Sequence, residues 1–432
     1  MIAVAILGGG LSGLQVARLL SARSIDCRVF ESRPVIGGLC RTLRSGDWSW
    51  DIGPHAFYSR HPEIMRNYES LPLEYERLKR RVRVCHHVPD GNVVEVGYPF
   101  ENGIADLPWA QRWACLSGAI SARLTGEQPY QNLAHWIENG LGSGIGELFM
   151  LPYNRKIWNC PLDRISMALV KGKIEPEPLW RLLRNTLFSG TVGRAYQAEF
   201  IYPKKRAGSI PDAVYNEVKD RVQVEWTLAK ACRSKDGWRL QSTTGELVEA
   251  RRVISTIPIP VLLRALNDPS LPSAEDFLQN DTYFTAVGLK AGRKFGTFGS
   301  CQWTFFAGPE VFYRLTFMGS FSADGLPVVV AETTKKTDSL TADALTERVL
   351  KDLSALGVLG SQEDVGMAQT HLESCTYPIQ SVGMEKIREK MEGALTERGM
   401  HLLGRSGRWD YVNTDGVFAN AQRFVESFPL EP

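Results

Sequence analysis

Gly8-Gly9-Gly10-Leu11-Ser12-Gly13 follows directly on the apolar run Ile2-Ala3-Val4-Ala5-Ile6-Leu7 and leads into a helical pattern through Val16, Leu19 and Leu20. In a G-x-G-x-x-G turn Gly8 makes the bend, Gly10 lets the backbone approach a pyrophosphate, and Gly13 lets helix and strand pack closely. Leu11 and Ser12 open the helix, whose free N–H groups and positive dipole end attract phosphate oxygens. Cys27-Arg28-Val29-Phe30-Glu31 reads as a second short strand. It ends in an acid eighteen residues beyond Gly13, placed to accept hydrogen bonds from an adenosine ribose. Two further side chains can do chemistry. His55, after Gly53-Pro54, is either a structural histidine or a catalytic one. Arg314, in Phe312-Tyr313-Arg314, carries a guanidinium fork that on its own reads as a surface ion pair at a strand end. No paired carboxylates stand at a recognisable acid/base spacing.

The elements that must position these residues come from separated parts of the chain. Val222 to Val253 reads as short strands around turns at Lys235-Asp236-Gly237 and Thr243-Thr244-Gly245, and Arg252 to Pro258 returns to the first sheet. Met400 to Arg405 is a strand and a glycine-arginine turn, followed by Asp415-Gly416 and a helix from Val417 to Ser427. Residues 60 to 200 read as mainly helical, with helices at Pro108 to Leu124, Leu133 to Asn139 and Pro178 to Leu187. Residues 260 to 395 mix strands (Thr285 to Leu289, Phe312 to Met318, Val328 to Glu332) with helices at Ala342 to Leu356 and Met384 to Glu392.

Composition excludes several classes. Fifty Lys+Arg against 48 Asp+Glu leave a net charge of only +2, which speaks against a nucleic-acid groove or an acidic membrane surface as the main partner. At 44% hydrophobic and 23% charged, the 432 residues are ordinary globular sequence, enough for about three modules. Eight scattered cysteines, with no CxxC and no paired histidine spacing, disfavour a disulfide framework and a metal site and fit a reducing, cytoplasmic setting. No run of about 18 apolar residues predicts a membrane span. The amino terminus lacks the basic region of a signal peptide, and its glycines interrupt the apolar run.

After Glu31, the stretch Ser-Arg-Pro-Val-Ile-Gly37-Gly38-Leu-Cys-Arg41-Thr42 resembles the second phosphate-loop region of the amine-oxidase-like FAD enzymes. That resemblance favours FAD over NAD. It implies an α/β fold: a Rossmann-like FAD-binding domain with a helical insertion and a mainly antiparallel β-sheet insertion. The FAD-binding pieces are then 1–60, 201–260 and 396–432, the helical substrate domain 61–200 and the β-sheet substrate domain 261–395. More specific blocks resemble the UDP-galactopyranose mutases, especially their eukaryotic-type members. They are Asp51-Ile-Gly53-Pro54-His55-Ala-Phe57, Tyr98-Pro-Phe-Glu-Asn102, His135-Trp136-Ile137 through Pro152-Tyr153-Asn154-Arg155-Lys156-Ile-Trp158, Phe312-Tyr313-Arg314, Tyr377-Pro378, and Gly404-Arg405 with Trp409-Asp-Tyr411 and Asn413. The resemblance implies a nucleotide-sugar pyranose/furanose mutase. Reduced FAD would act as covalent nucleophile on the anomeric carbon, with no net redox change. An external reductant, with NAD(P)H a candidate, would keep the flavin reduced. The wider resemblance leaves an FAD-dependent oxidase or desaturase as the alternative.

Carried over residue by residue, the resemblance implies a diphosphate grip by Arg314, with Tyr313 beside it, and by Tyr377 and Tyr411. It implies a nucleotide-side wall at Tyr98, Trp136 and Tyr153, each of which is equally readable as helix packing, and a substrate contact at Asn154. His55 would sit beside the flavin ring and Asn413 near the sugar. Gly8, Gly10, Leu11, Ser12, Gly13, Glu31, Gly37, Gly38, Arg41, Gly53, Pro54, His55, Gly404, Arg405 and Asp415 would hold FAD. Three positions depart from the pattern. Leu151 stands for a second arginine, which Arg155 replaces only if its helix turns it inward. Glu101 stands for a glutamine and Phe305 for a tyrosine. Together they point to a sugar other than that of plain UDP-galactose.

Overall fold

Alternate residues of the Ile2–Leu7 strand pack into two different cores, which is why the run is continuously apolar. Val4 and Ile6 face Leu14, Val16 and Ala17, while Ala5 and Leu7 face Trp238, Ile259 and Leu402. In this computed structural model, which describes residues 1–125, 128–170, 177–188, 199–338 and 340–428, that strand is central to a parallel sheet. It pairs with Cys27–Phe30 on one side and Leu247–Ser255 on the other, and Met400–Leu402 pairs in turn with Val253 to Ser255. Gly237–Ser242 and Leu228–Ser234 extend the sheet in antiparallel fashion. The helix Leu11–Ala22 covers one face, and each fully buried leucine on it contributes about 2 kcal/mol. The last four residues of the third cofactor segment lie outside the described residues.

The second sheet has the order Val365–Pro378, Gln279–Leu289, Val328–Thr334, Arg314–Phe317, Trp303–Phe306, Val82–His87, Val93–Gly97. Its neighbours are antiparallel except Trp303–Phe306 against Val82–His87. The expected mainly antiparallel insertion is there, but two of its strands come from the segment read as mainly helical. The sheet therefore crosses the division between 61–200 and 261–395. Val82 and Val84 point inward and Arg83 outward, a period of two over so few residues that the basic run Lys79-Arg80-Arg81 hid it. It forms a local hairpin with Val93–Gly97, but its partner on the other side, Trp303–Phe306, lies over 200 residues away, so nothing local announces that it joins the larger sheet.

The predicted helices form at Trp109–Thr125 and Leu179–Leu187. The one read over Leu133 to Asn139 is α-helical only to Trp136 and then widens into a π turn, Ile137–Leu141, with another at Gly146–Met150. Here the chain presses against the Trp109–Thr125 helix. A Cβ at Gly144 would lie 2.3 Å from the Ala114 carbonyl oxygen, and the wide turns let the backbone pass that close. The carboxy-terminal helix runs Thr414–Ser427, starting three residues before the sequence reading placed it. Among the described residues no helix is long and apolar enough to cross a membrane.

Candidate functional site

Two adjoining cavities, of 420 and 540 Å³, run from the parallel sheet to the antiparallel one. Gly8, Glu31, Ser32, Arg33 and Ile257 line both, so they form one cleft. The far wall of the second is apolar, with Phe30 and Trp226 in contact at 4.8 Å.

The glycine turn builds the near end. Gly8 sits at φ 104°, and a Cβ on Gly13 would lie 2.0 Å from the Gly8 carbonyl oxygen, so helix and strand meet only because Gly13 has none. Gly10 lies opposite Gly37 in an isolated bridge and close to Gly38, with all three glycines lining the cleft. No side chain caps the helix that begins at Leu11, so its first N–H groups are open to an anion. Glu31 Oε2 accepts from Gly9 N–H at 2.6 Å and Oε1 from Arg33 N–H at 3.0 Å. The open helix end, the glycine cradle and the fixed carboxylate fit a dinucleotide.

Of the residues predicted to hold the cofactor, Gly8, Gly10, Leu11, Ser12, Glu31, Gly37, Gly38, Pro54, His55 and Arg405 line the cleft. Gly13, Arg41, Gly53, Gly404 and Asp415 do not. Gly404 packs on Ser12, where a Cβ would come within 2.8 Å of the Ser12 Cβ. Asp415 sits in the first turn of its helix, and Asn413 at the N-cap lines the cleft instead. Arg41 acts through a residue the sequence reading missed: it donates to Glu373 at 2.6 Å, and Arg33 and His371 also bind that carboxylate. Burial opposes the charge on Glu373, but His371 and Arg33 hold it below the usual carboxylate range.

His55 Nε2 lies 3.1 Å from both the Leu39 and the Ile52 carbonyl oxygens. Two acceptors at one nitrogen require the proton there and leave Nδ1 an acceptor. Burial lowers the pKa, against the pull of Asp51, so the ring is neutral.

At the other end stand Arg80, Phe200, Trp303, Phe305, Arg314, Tyr377, Arg405, Tyr411 and Asn413. Arg314 spends its fork on a buried acid: Nε to Glu332 Oε1 at 2.7 Å and Nη2 to Oε2 at 2.5 Å. Burial works against its charge, and Glu332 overcomes this to raise it well above its ordinary value. Tyr377 accepts from Arg314 Nη2 at 3.1 Å, and Tyr313 donates to Glu332 at 3.1 Å from behind the wall. Tyr377 and Tyr411 stack at 5.8 Å with the Arg405 guanidinium 4.8 and 4.5 Å from their rings. The sequence reading missed Glu332, Arg80 and Trp303. The acid closing Val328-Val-Val-Ala-Glu332 and the basic run around Arg80 were the available signals.

The proposed nucleotide wall is only partly assembled. Tyr98 and Tyr153 touch Phe305 at 5.0 and 5.4 Å but stand behind it. Trp136 is buried core, and Asn154 spends its amide on the Met150 carbonyl and the Trp158 ring. Arg155 and Leu151, one helical turn apart, line a different cavity with Glu138 and Asp163. Arg155 therefore does not turn into the cleft. The sequence reading assigned no metal ligands, but Cys85, His87 and Glu310 bring ligand-type atoms within 4.8 Å, with Lys156 4.0 Å from Glu310.

Glu101 lies outside the cleft, on the short turn Phe100–Asn102, and burial pushes its pKa up to about 7. Its folded pKa exceeds the unfolded one, so its contribution is complete below about pH 4.5 and lost as pH rises through 7. Glu101→Gln is expected to raise stability at pH 8 by about 2 kcal/mol and to leave it unchanged near pH 4, read from denaturation midpoints.

The family described as flavin containing amine oxidoreductase matches residues 11–423. The flavin-containing amine oxidase A of Canis lupus familiaris is 23% identical over 300 residues, 64% of this chain and 54% of its own length. The chloroplastic protoporphyrinogen oxidase of Nicotiana tabacum is 24% identical over 316 residues, 66% of this chain and 55% of its own. The chain thus spans about half the length of the curated relatives it matches. Among solved structures, reduced UDP-galactopyranose mutase superposes with a TM-score of 0.88 at 24% identity, over 100% of this chain and 97% of that one. Cyclohexylamine oxidase from Brevibacterium oxydans does so at 0.67 and 17%, over 99% and 98%. These likenesses establish the mixed α/β fold, and the family match establishes more: the chain belongs to the flavin containing amine oxidoreductases, with FAD as its cofactor.

Proposed function

We propose that this chain is a pyranose/furanose mutase acting on a nucleotide-diphosphate sugar. One observation carries the reading. The end of the cleft beyond His55 is lined by three arginines, Arg80, Arg314 and Arg405, with tyrosines Tyr377 and Tyr411, while the lining carboxylates Glu31 and Glu373 lie at the glycine-loop end. Such a wall repels a substrate ammonium and suits a diphosphate. The likeness in fold to UDP-galactopyranose mutase supports the same reading.

Reduced FAD, when bound, supplies the nucleophile and keeps its electrons over the full cycle, so no acid/base pair on the protein is needed to drive the exchange. The chain's own residues bind, orient and balance charge. Arg405, held against two stacked tyrosine rings and by a 3.1 Å bond to the Thr376 carbonyl, presents a rigid cation. Arg314 has Nη1 left for a phosphate oxygen once Glu332 and Tyr377 are satisfied. His55 holds its proton on Nε2 and offers Nδ1 to a hydroxyl. The uncapped start of the Thr414–Ser427 helix turns its positive end toward the cleft and favours negative charge there.

The test is a panel of nucleotide sugars, UDP-galactose included, with the dithionite-reduced protein. Ring-exchanged product without oxygen uptake is expected, and Arg405→Ala is expected to lower kcat/KM about 100-fold. The oxidase reading keeps one observation of its own, the apolar surface of Phe200, Trp303 and Phe305. Oxygen consumption with an amine or other apolar substrate on the oxidised protein, and no turnover of any nucleotide sugar, would establish it instead.

A further inference from the structure

The helices Trp109–Thr125 and Leu179–Leu187 lie side by side and antiparallel. Arg112 near the start of the first reaches the Thr186 carbonyl at the end of the second, and Arg123 near the end of the first reaches that of Glu177 just before the second. Each carries large apolar residues in the open. On the first, Trp109, Trp113, Ile120 and Leu124 are 56, 53, 40 and 81% exposed. At about 100° per residue they fall within an arc of about 60°. On the second, Leu179, Trp180, Leu183 and Leu187 are 36, 62, 46 and 45% exposed. They span an arc of about 100°.

The two stripes share one face of the pair. On the first helix the stripe is centred about a quarter-turn from the side bearing Arg112 and Arg123, which faces the second helix. On the second it is centred about a quarter-turn, in the same rotational sense, from the buried side bearing Leu182 and Thr186. Because the helices run in opposite directions, equal rotations bring both stripes to the same side. The result is one apolar face with three tryptophans, larger than scattered surface hydrophobics produce.

Charge on the pair has one sign. Neither helix contains an aspartate or glutamate, and together they carry Arg112, Arg123, Arg181 and Arg184. Arg112 lies over the Trp109 ring at 4.6 Å and Arg181 over the Trp180 ring at 5.2 Å. Glu177, just ahead of the second helix, offsets Arg181 at 2.8 Å. Tryptophans paired with guanidinium groups, leucines between them and no acids make the composition of a helix surface that lies in a bilayer interface and favours anionic headgroups.

We infer that this two-helix face docks on an anionic lipid bilayer, holding the protein at a membrane surface without a span. The chain's +2 net charge gives no hint of this, because the positive charge is local to the pair. Behind the face, Asn185 on the second helix binds the Glu101 carbonyl and Asn102 Oδ1. The segment that carries Tyr98 against the cleft wall is thus tied directly to the docking helix. The inference does not depend on which reaction the cleft performs.

Flotation of the FAD-loaded full chain with vesicles tests it. Comparison of pure phosphatidylcholine with a mixture containing about one third phosphatidylglycerol isolates the anionic contribution. The expected result is binding to the mixture that weakens with salt, falls at least tenfold in Trp113→Ser/Trp180→Ser, and loses its phosphatidylglycerol dependence in Arg184→Glu. Leu247→Ser, at an exposed apolar position elsewhere, serves as the control and is expected to bind as the parent does. An unchanged visible flavin spectrum verifies that each variant is folded. Absence of flotation with either vesicle, or flotation indifferent to the tryptophan pair, would overturn the inference. So would a self-associated form that the same pair disrupts while vesicles bind neither protein; the face would then be a contact between copies.

Discussion

Glu332→Ala is expected to destabilise the protein by about 3–5 kcal/mol, because it leaves the buried Arg314 guanidinium without its counter-charge. Glu332 is fully buried and receives Arg314 through two nitrogens, Tyr313 through its hydroxyl and Thr316 from 3.4 Å. The register of the two strands sets this arrangement, with Arg314 directly opposite Glu332. Denaturant midpoints read the loss. The double variant Arg314→Met/Glu332→Leu is expected to recover much of it, since an apolar pair carries no desolvation cost. That variant separates two roles. If the pair served stability alone, the double variant would turn over substrate normally; if Arg314 also touches a diphosphate, stability returns while kcat/KM stays at least tenfold low.

Gly13→Ala is expected to yield a protein that retains less than a tenth of its FAD after purification. The added methyl would lie 2.0 Å from the Gly8 carbonyl oxygen, so the helix must move away from the strand and take its open N–H groups with it. A loss of about 1.4 kcal/mol in binding already means tenfold. The visible flavin absorbance per chain is the measurement, and addition of FAD should restore thermal stability only at high concentration. Gly393→Ala, in the Met384–Glu397 helix with open space around it, is the control that should keep its flavin. A fully loaded Gly13→Ala protein would mean that the turn does not hold the cofactor.

The parts of this fold legible in the sequence are those written in short range. The Ile2–Leu7 run, the glycine turn and Glu31 stand within about thirty residues, and the structure brings the strand, helix and acid together as their spacing implies. Val82–His87 was not legible as part of the larger sheet, because its short hairpin with Val93–Gly97 follows a basic run and its other partner, Trp303–Phe306, lies far along the chain. Glu332 was missed for a similar reason: its meaning depends on the residue across the ladder rather than on its neighbours in the chain. The substrate residues expected from the helical insertion fared worst. Trp136, Asn154 and Arg155 sit on elements whose existence the pattern conveys, but the π turns around them rotate each side chain by an amount that no α-helical periodicity contains. His55 and Arg405 converge on the cleft just past strand ends, and Tyr377 reaches it from the last residues of its strand, where spacing and position coincide.

The interleaving of the sheets also dictates when the molecule can come into being. The first strand completes its pairing only with Leu247–Ser255, and that strand in turn waits for Met400–Leu402. A chain emerging from the ribosome must therefore hold its first apolar segment unpaired on one edge until about 250 residues are made, and the cofactor cradle until about 400 are. Assembly of the cradle is then a late event that joins distant segments, and a chaperone or a waiting flavin has something to act on. Interrupted products that stop short of residue 400 would be candidates for degradation rather than smaller functional units.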